Sequence, residues 1–542
     1  MLTLSFDRPN RFGPSRSAVM STQGMVVTSQ PLAALVGVDV LRQGGNAIDA
    51  AIAAAALLNV IEPMSTGVGG DAFALIYEAK SGKVFGLNAS GRSPYAATLD
   101  EYQRRVATRA TREIPPQSLL AATVPGTVDG WATAIERFGH RSLADVLAPA
   151  IRTAEEGFAV APQTAPFWAY GRDLLWKHPD SAKTWLYPDG RTPQPGEVFK
   201  NPYLARTLRL IAEGGRDAFY NGDLADAIVR FSEMNGGLFS HADFVEHTST
   251  WVEPISIQYR GYDIVELPPN GQGVAALEAL QILTQDDLAE MGHNTADTIH
   301  LQLEATTLAL HDAKQYITDP EFVKIPIQGL LSADYARQQR ARISTHEAIQ
   351  HPTAGVPPGG DTVYICAVDA EGNVVSFINS IFVPWGTGLT VGGTGVLLQN
   401  RGSSFSLDPN HVNVIAPHKR TRHTIIPAMM LHNGKPLMTF GFVGGDMQVQ
   451  AHVQFICNVV NFGMNLQDAL DAPRWQYNGT GSSIALEAAI ASDIWDELKK
   501  RGHEISGSAG FFGGGQAIMV HPEYGTLQGG SDSRRDGCAI GY

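Results

Sequence analysis

Residues Ala47 to Ile61 form the longest apolar stretch of the chain, and they constrain its folding most. From Ala47 to Asn59 the stretch is rich in Ala and apolar nearly all round, the pattern of a helix buried on most faces. It contains Asp49 and Asn59 and falls short of the roughly 20 residues a membrane span requires, so it belongs in a protein core. The chain is long enough to supply that core. Its 542 residues are 44% hydrophobic and 17% charged, which suits a globular protein and neither a disordered nor a fibrous one. At roughly 150 residues per domain the length allows three or four domains, and one interwoven unit is equally open.

Charge and cysteine usage narrow the classes further. Forty Lys and Arg against 54 Asp and Glu leave a formal charge of −14, and no dense basic run offsets it. Nucleic acid and an anionic membrane surface are therefore not expected partners. Cys366, Cys457 and Cys538 are too few for a disulfide framework and include no C-x-x-C pair, so they are read as packing residues. The opening MLTLSFDRPNRFGPSRS lacks the uninterrupted apolar core of a signal peptide, and a cytoplasmic location is expected.

Along the chain, apolar residues recur at helical spacing from Pro31 to Leu41, with Gly44-Gly45 as the stop. After the Ala-rich helix come Glu62-Pro63 and a loop holding Gly67, Gly69 and Gly70. Residues 72–87 read as two strands around Ser81-Gly82. Between about 120 and 345 the pattern is mostly helical, and no fixed-period repeat suggests a solenoid. The texture changes near 350. His351 to Gly360 (HPTAGVPPGG) suits an exposed, cleavable loop, whereas Thr362 to Asp369 and Val374 to Ser380 read as a hairpin around Glu371-Gly372-Asn373. A further strand, Leu437 to Val443, runs into Gly444-Gly445 and then a helix from about Met447 to Phe462. Such strand, glycine pair, helix units gather free backbone N–H groups.

Several motifs carry little weight. Gly271-x-Gly273-x-x-Ala276 lies between a strand-like and a helical run, but Pro268-Pro269-Asn270 interrupts the junction a dinucleotide fingerprint needs. His346-Glu347-x-x-x-His351 spaces its histidines at i, i+5, off a common helix face. Neither a P-loop nor a Gly-x-Ser-x-Gly elbow occurs. Thr362 is the remaining candidate, standing where a loop becomes a strand. If the chain is cut between Asp361 and Thr362, the new α-amine lies beside Oγ. With an ordinary pKa of about 7.7–8.0, that amine can serve as general base near neutral pH. Gly444 and Gly445 offer two backbone donors for a tetrahedral oxyanion.

These residues resemble the γ-glutamyltransferases, self-cleaving N-terminal nucleophile (Ntn) hydrolases. GMVVTSQPLA, GGNAIDAAIAAA, EPMSTGVGGDAF and VPGTVDGW are similar to the family's early motifs. DTVYICAVDAEGNVVS resembles its nucleophile hairpin, FGFVGGDMQ its oxyanion strand and GGSDSRRDGCAIGY its C-terminal signature. The resemblance implies an α+β fold, a four-layer αββα sandwich, formed as one precursor and cut into a large chain, 1–361, and a small chain, 362–542, which stay together as a heterodimer within a single domain. It implies Thr362 as nucleophile, Ser380 as the supporting hydroxyl in place of the more usual Thr, and Gly444 with Gly445 as the oxyanion hole. No metal and no cofactor are called for.

The departures from the family pattern bear on substrate. Where glutathione-cleaving members place an Arg before the Pro of the early strand, this chain has Ser90, and Arg92 stands two residues later. The α-amino-binding Asp becomes Ser404, the Gln three residues before it becomes Arg401, the Asn two residues beyond Ser380 becomes Phe382, and the Ser-Ser pair becomes His423-Thr424 beside Arg422. Loss of the carboxylate that meets a substrate ammonium argues against strong γ-glutamyl recognition. Gained arginines suit a carboxylate, so the expected substrate is a small amide bearing an acid group, with oxamate the first choice. Hydrolysis or transfer of γ-glutamyl groups, a cephalosporin or glutaryl acylase, and an unprocessed binding or structural homologue are the alternatives.

Overall fold

The computed structural model describes residues 15–106, 113–349, 361–479, 481, 483–508 and 510–542. The run His351 to Gly360 and most of the N-terminal MLTLSFDRPNRFGPSRS lie outside these residues. Two seven-stranded antiparallel sheets face each other between helical layers. The first sheet runs, edge to edge, through Cys538–Gly541, Met25–Thr28, Asp361–Val368, Val374–Phe382, Asp71–Glu78, Lys83–Ala89 and Thr250–Val252. The second runs through Val19–Ser21, Leu527–Ser531, Gly514–Val520, Lys435–Val443, Ala428–His432, Tyr262–Glu266 and Ile255–Tyr259.

Alternation along the strands assigns the layers. Val363, Ile365 and Ala367 pack with the helix Ala47–Ile61, whereas Tyr364, Cys366 and Val368 pack with Met429, Val443 and Ile518 of the facing sheet. On the far side of the second sheet, Met430, Phe440 and Met519 meet the helices Gly273–Leu283, Ala296–Tyr316 and Met447–Val460. The result is a four-layer αββα sandwich, as the resemblance implies. Every residue of Ala47–Ile61 is buried, as its lack of a polar face requires. Asn46 and Asp49 close its first turn in a capping box, and the buried Asp49 carboxylate accepts further N–H groups from His140 and Arg141.

Both segments of the chain, before and after Asp361, supply strands to both sheets. A cut at that point would leave the two pieces zipped together through their ladders. The region from 120 to 345 departs from its helical pattern at Thr250–Val252, Ile255–Tyr259 and Tyr262–Glu266, short strands that edge both sheets. Cys366 and Cys457 are buried and Cys538 half-buried, all three as free thiols. Among the described residues no helix is long and apolar enough to cross a membrane.

Candidate active site

Thr362 sits on the inward face of the first sheet, by parity with Tyr364 and Cys366, and is 3% exposed. Strand pairing explains its neighbour. Val363 pairs with Asn379, so one step back along the ladder sets Thr362 opposite Ser380. The register then shifts so that Asp361 meets Phe382. Such bulges re-aim side chains at strand ends. Here Thr362 Oγ1 donates to Ser380 Oγ at 3.2 Å, and the Phe382 amide donates to the same oxygen at 2.8 Å.

The glycine pair reaches this end of the sandwich from the second sheet. Thr439 Oγ1 donates to the Val375 carbonyl, and a Cβ on Gly441 would lie 2.3 Å from the Tyr364 ring. Since Val375 pairs with Ala367, the strand Lys435–Val443 crosses Asp361–Val368 in the opposite sense and delivers Gly444 and Gly445 toward Thr362. Both glycines have positive φ, +126° and +63°, which side chains rarely tolerate. Their carbonyls accept from Met447 and Gln448 in the first turn of the next helix, and among the described residues neither of their own N–H groups donates a hydrogen bond. Two free donors at a helix start form an anion-binding corner.

Arg401 links the two halves. It opens a short 3-10 turn, Arg401–Ser404, and is fully buried. Its guanidinium donates to Thr424 Oγ1 at 2.8 Å and at 3.4 Å to Ser380 Oγ, the oxygen that accepts from Thr362. Phe382 lies under its plane, 4.1 Å from centroid to Cζ, and adopts φ +81° to do so. Gln272 Nε2 donates to the carbonyls of Thr424 and Gly445, so a hydrogen-bonded chain runs from Thr362 through Ser380, Arg401 and Thr424 to the glycine corner. Among the described residues no carboxylate lies within ion-pair distance of Arg401, and its Nε–H has no acceptor. Burial lowers its pKa to about 9, against the opposing field of Asp71.

Asp71 and His423 brace this centre. His423 Nδ1 accepts from the Ile425 amide, which leaves Nε2–H to donate to Asp71 at 3.0 Å. The other Asp71 oxygen accepts from the Gly91 amide and from Gln399 Nε2, each at 2.8 Å. Burial opposes ionisation of Asp71, but the His423 hydrogen bond and the charge of Arg401 outweigh it and hold the carboxyl below its ordinary pKa. His423 is pushed down to about 4, chiefly by burial and then by Arg401, so it is neutral.

The gamma-glutamyltranspeptidase family model matches residues 33–542 of this chain. The chain belongs to that family.

Its family relatives diverge in the chemistry their names record. A Bacillus subtilis protein named glutathione hydrolase-like YwrD proenzyme is 40% identical over 531 residues, 97% of this chain and 99% of the relative. An oxamate amidohydrolase proenzyme of Klebsiella pneumoniae subsp. pneumoniae is 36% identical over 542 residues, 97% of this chain and 100% of the relative. The crystal structure of a cephalosporin acylase from Bacillus halodurans superposes with a TM-score of 0.92 at 43% identity, covering 99% of each chain. As a member of the family, this protein is an autocatalytically processed Ntn-type amidohydrolase.

Within this family member the structure gathers some of the expected site residues and disperses others. Thr362, Ser380, Phe382, Arg401 and Thr424 share one hydrogen-bonded cluster. His423 is turned inward to Asp71 with both ring nitrogens engaged. Arg92 pairs with Glu321 at 2.8 Å, and Arg422 reaches Gln272 at 3.1 Å and Asp446 at 3.4 Å. Ser404 is half-buried, its carbonyl accepting from Asn413. The fingerprint-like run at Gly271 is used differently: Gln272 joins the active-site network, and Asn270 bridges Asn88 to the Thr421 carbonyl through its side chain. Asp71 and Gln272 were missed by sequence reasoning. The signal for Asp71 was a charge at the head of an apolar strand, in Gly69-Gly70-Asp71-Ala72-Phe73, where burial demands partners.

Proposed function

We propose that the protein cleaves a small amide whose acyl part carries a carboxylate, with oxamate as the best-fitting substrate. The scheme starts with a cut between Asp361 and Thr362, giving a large chain 1–361 and a small chain 362–542. The freed α-amine of Thr362 takes the Oγ proton, Oγ attacks the amide carbon, and the Gly444 and Gly445 N–H groups stabilise the oxyanion. Collapse of that intermediate expels the amine, ammonia from oxamate, which leaves with the proton held by the α-amine. Water then attacks the ester and releases the acid. Ser380 positions Oγ for attack.

The observation that carries the substrate class is Arg401: a buried guanidinium, one oxygen removed from the nucleophile, with no carboxylate partner among the described residues. A buried charge without an ion pair is costly, and an acid group of the substrate supplies the missing partner. The single oxygen between nucleophile and guanidinium favours a short acid in which carboxylate and amide are adjacent. A longer acyl group, as for a cephalosporin or glutaryl acylase, is the second reading, supported by the likeness to a structure described as a cephalosporin acylase. Ammonia release from oxamate, measured beside release of nitroaniline from glutaryl and γ-glutamyl nitroanilides, tests the proposal. Oxamate turnover well above the two anilides supports it, and turnover of the γ-glutamyl compound alone overturns it.

A further inference from the structure

A second cluster of donor atoms lies outside the hydrogen-bonded chain that reaches Thr362. His300 and Glu304 stand one turn apart on the helix Ala296–Tyr316, which puts them on one face. His503 comes to that face from the turn after the helix Ser492–Lys500. All three are buried, and one ligand atom from each lies within 4.8 Å of the others. Two imidazoles and a carboxylate so arranged are a donor set suited to zinc, which completes a tetrahedron with water.

The surroundings orient these donors. His300 Nε2 lies 2.7 Å from the Ser344 carbonyl, which fixes the proton on Nε2 and turns the Nδ1 lone pair inward, the outer-shell contact that metal-ligating histidines make. Glu304 is held by the Ile349 amide at 3.1 Å. His300 Nδ1 and His503 Nε2 stand 2.8 Å apart, sharing a proton. Replacing that proton by a zinc ion, at the usual Zn–N distance, asks for about 3.3 Å between them, an opening of about half an ångström. A small cavity lined in part by Glu304, Thr307, Tyr477 and His503 adjoins the cluster.

We propose that His300, Glu304 and His503 form a zinc site. It fastens the His503 turn to the helix Ala296–Tyr316 and to the Ser344–Ile349 run. If the chain is cut at Asp361, two ligands belong to the large chain and one to the small, so the ion staples the two products together. Zinc binding itself does not depend on the proposed substrate, and its test uses no amide turnover.

Purified, untagged protein is stripped with a chelator, dialysed against micromolar zinc and analysed for metal. About one zinc per chain is expected, weakened at least about tenfold in His503→Asn and in Glu304→Gln, with a zinc-dependent rise in Tm seen only in wild type. Zinc-free wild type, or variants that bind like wild type, would overturn the site and leave a hydrogen-bonded histidine pair. Should both variants fold poorly, cobalt added to wild type decides the question: the visible band of a tetrahedral ion supports the site, and its absence refutes it.

Discussion

Replacing Arg401 with Met separates a substrate anchor from a structural arginine, because only the structural role carries a large loss of stability. A guanidinium fork on a carboxylate makes two charge-assisted hydrogen bonds, each contributing about 1.5–3 kcal/mol. Their loss predicts a fall of roughly 3–4 kcal/mol in transition-state stabilisation, about a hundred- to a thousandfold in kcat/KM. The acid is held in both ground and transition states, so most of the loss falls on KM. In the free protein the same guanidinium is buried with Nε–H unpartnered and its pKa lowered to about 9. Removing a buried charge with no carboxylate at ion-pair distance relieves its desolvation cost, and the loss of its field on Asp71 opposes that gain. Arg401→Met is therefore expected to stay within about 1 kcal/mol of wild type in urea unfolding while losing oxamate turnover. Arg401→Lys keeps the charge without the fork and should fall between. Steady-state ammonia release and equilibrium unfolding on the same preparations read both effects. An unchanged KM, or a loss of several kcal/mol in stability, would refute the reasoning.

Other perturbations probe the surrounding frame. Gly445→Ala, at φ +63°, strains the corner and should lower kcat by about a hundredfold or more with the fold retained; wild-type kcat would remove this amide from the oxyanion role. Asp71→Asn swaps an acceptor for a donor facing Gly91, Gln399 and His423, and a loss of about 3–5 kcal/mol in chemical unfolding is expected; a change below about 1 kcal/mol would deny Asp71 its bracing role. Buried His247 and His423, both pushed down to about 4, stay neutral in the fold while the unfolded chain takes up protons below about 6.5. Stability should therefore fall as pH drops from about 6.5 toward 4, by up to about 1.4 kcal/mol per pH unit for each, and His423→Gln should flatten that slope in a urea series.

What the sequence showed depended on the range of the interactions involved. The hairpin at Thr362, the helix stop at Gly44-Gly45 and the glycine corner at Gly444-Gly445 are local, and each lies where turn chemistry and periodicity put it. The strand Ile255–Tyr259 was hidden because five alternating residues within a mostly helical stretch give a weak signal. Asp71 was hidden for a different reason. Its role rests on Gly91, Gln399 and His423, partners brought together only by the packed sheets. The three arginines divide on the same ground: Arg401 has no carboxylate partner among the described residues, while Arg92 and Arg422 find Glu321 and Asp446, pairings that no local pattern announces.

The proposed catalysis depends first on Thr362 becoming a chain terminus, and intact-mass measurement of the purified protein tests that directly. Two polypeptides are predicted, one ending at Asp361 and one beginning at Thr362, with Thr362→Ala remaining a single 542-residue chain. A wild-type protein that stays whole, a junction elsewhere, or a Thr362→Ala variant cut like wild type would contradict it.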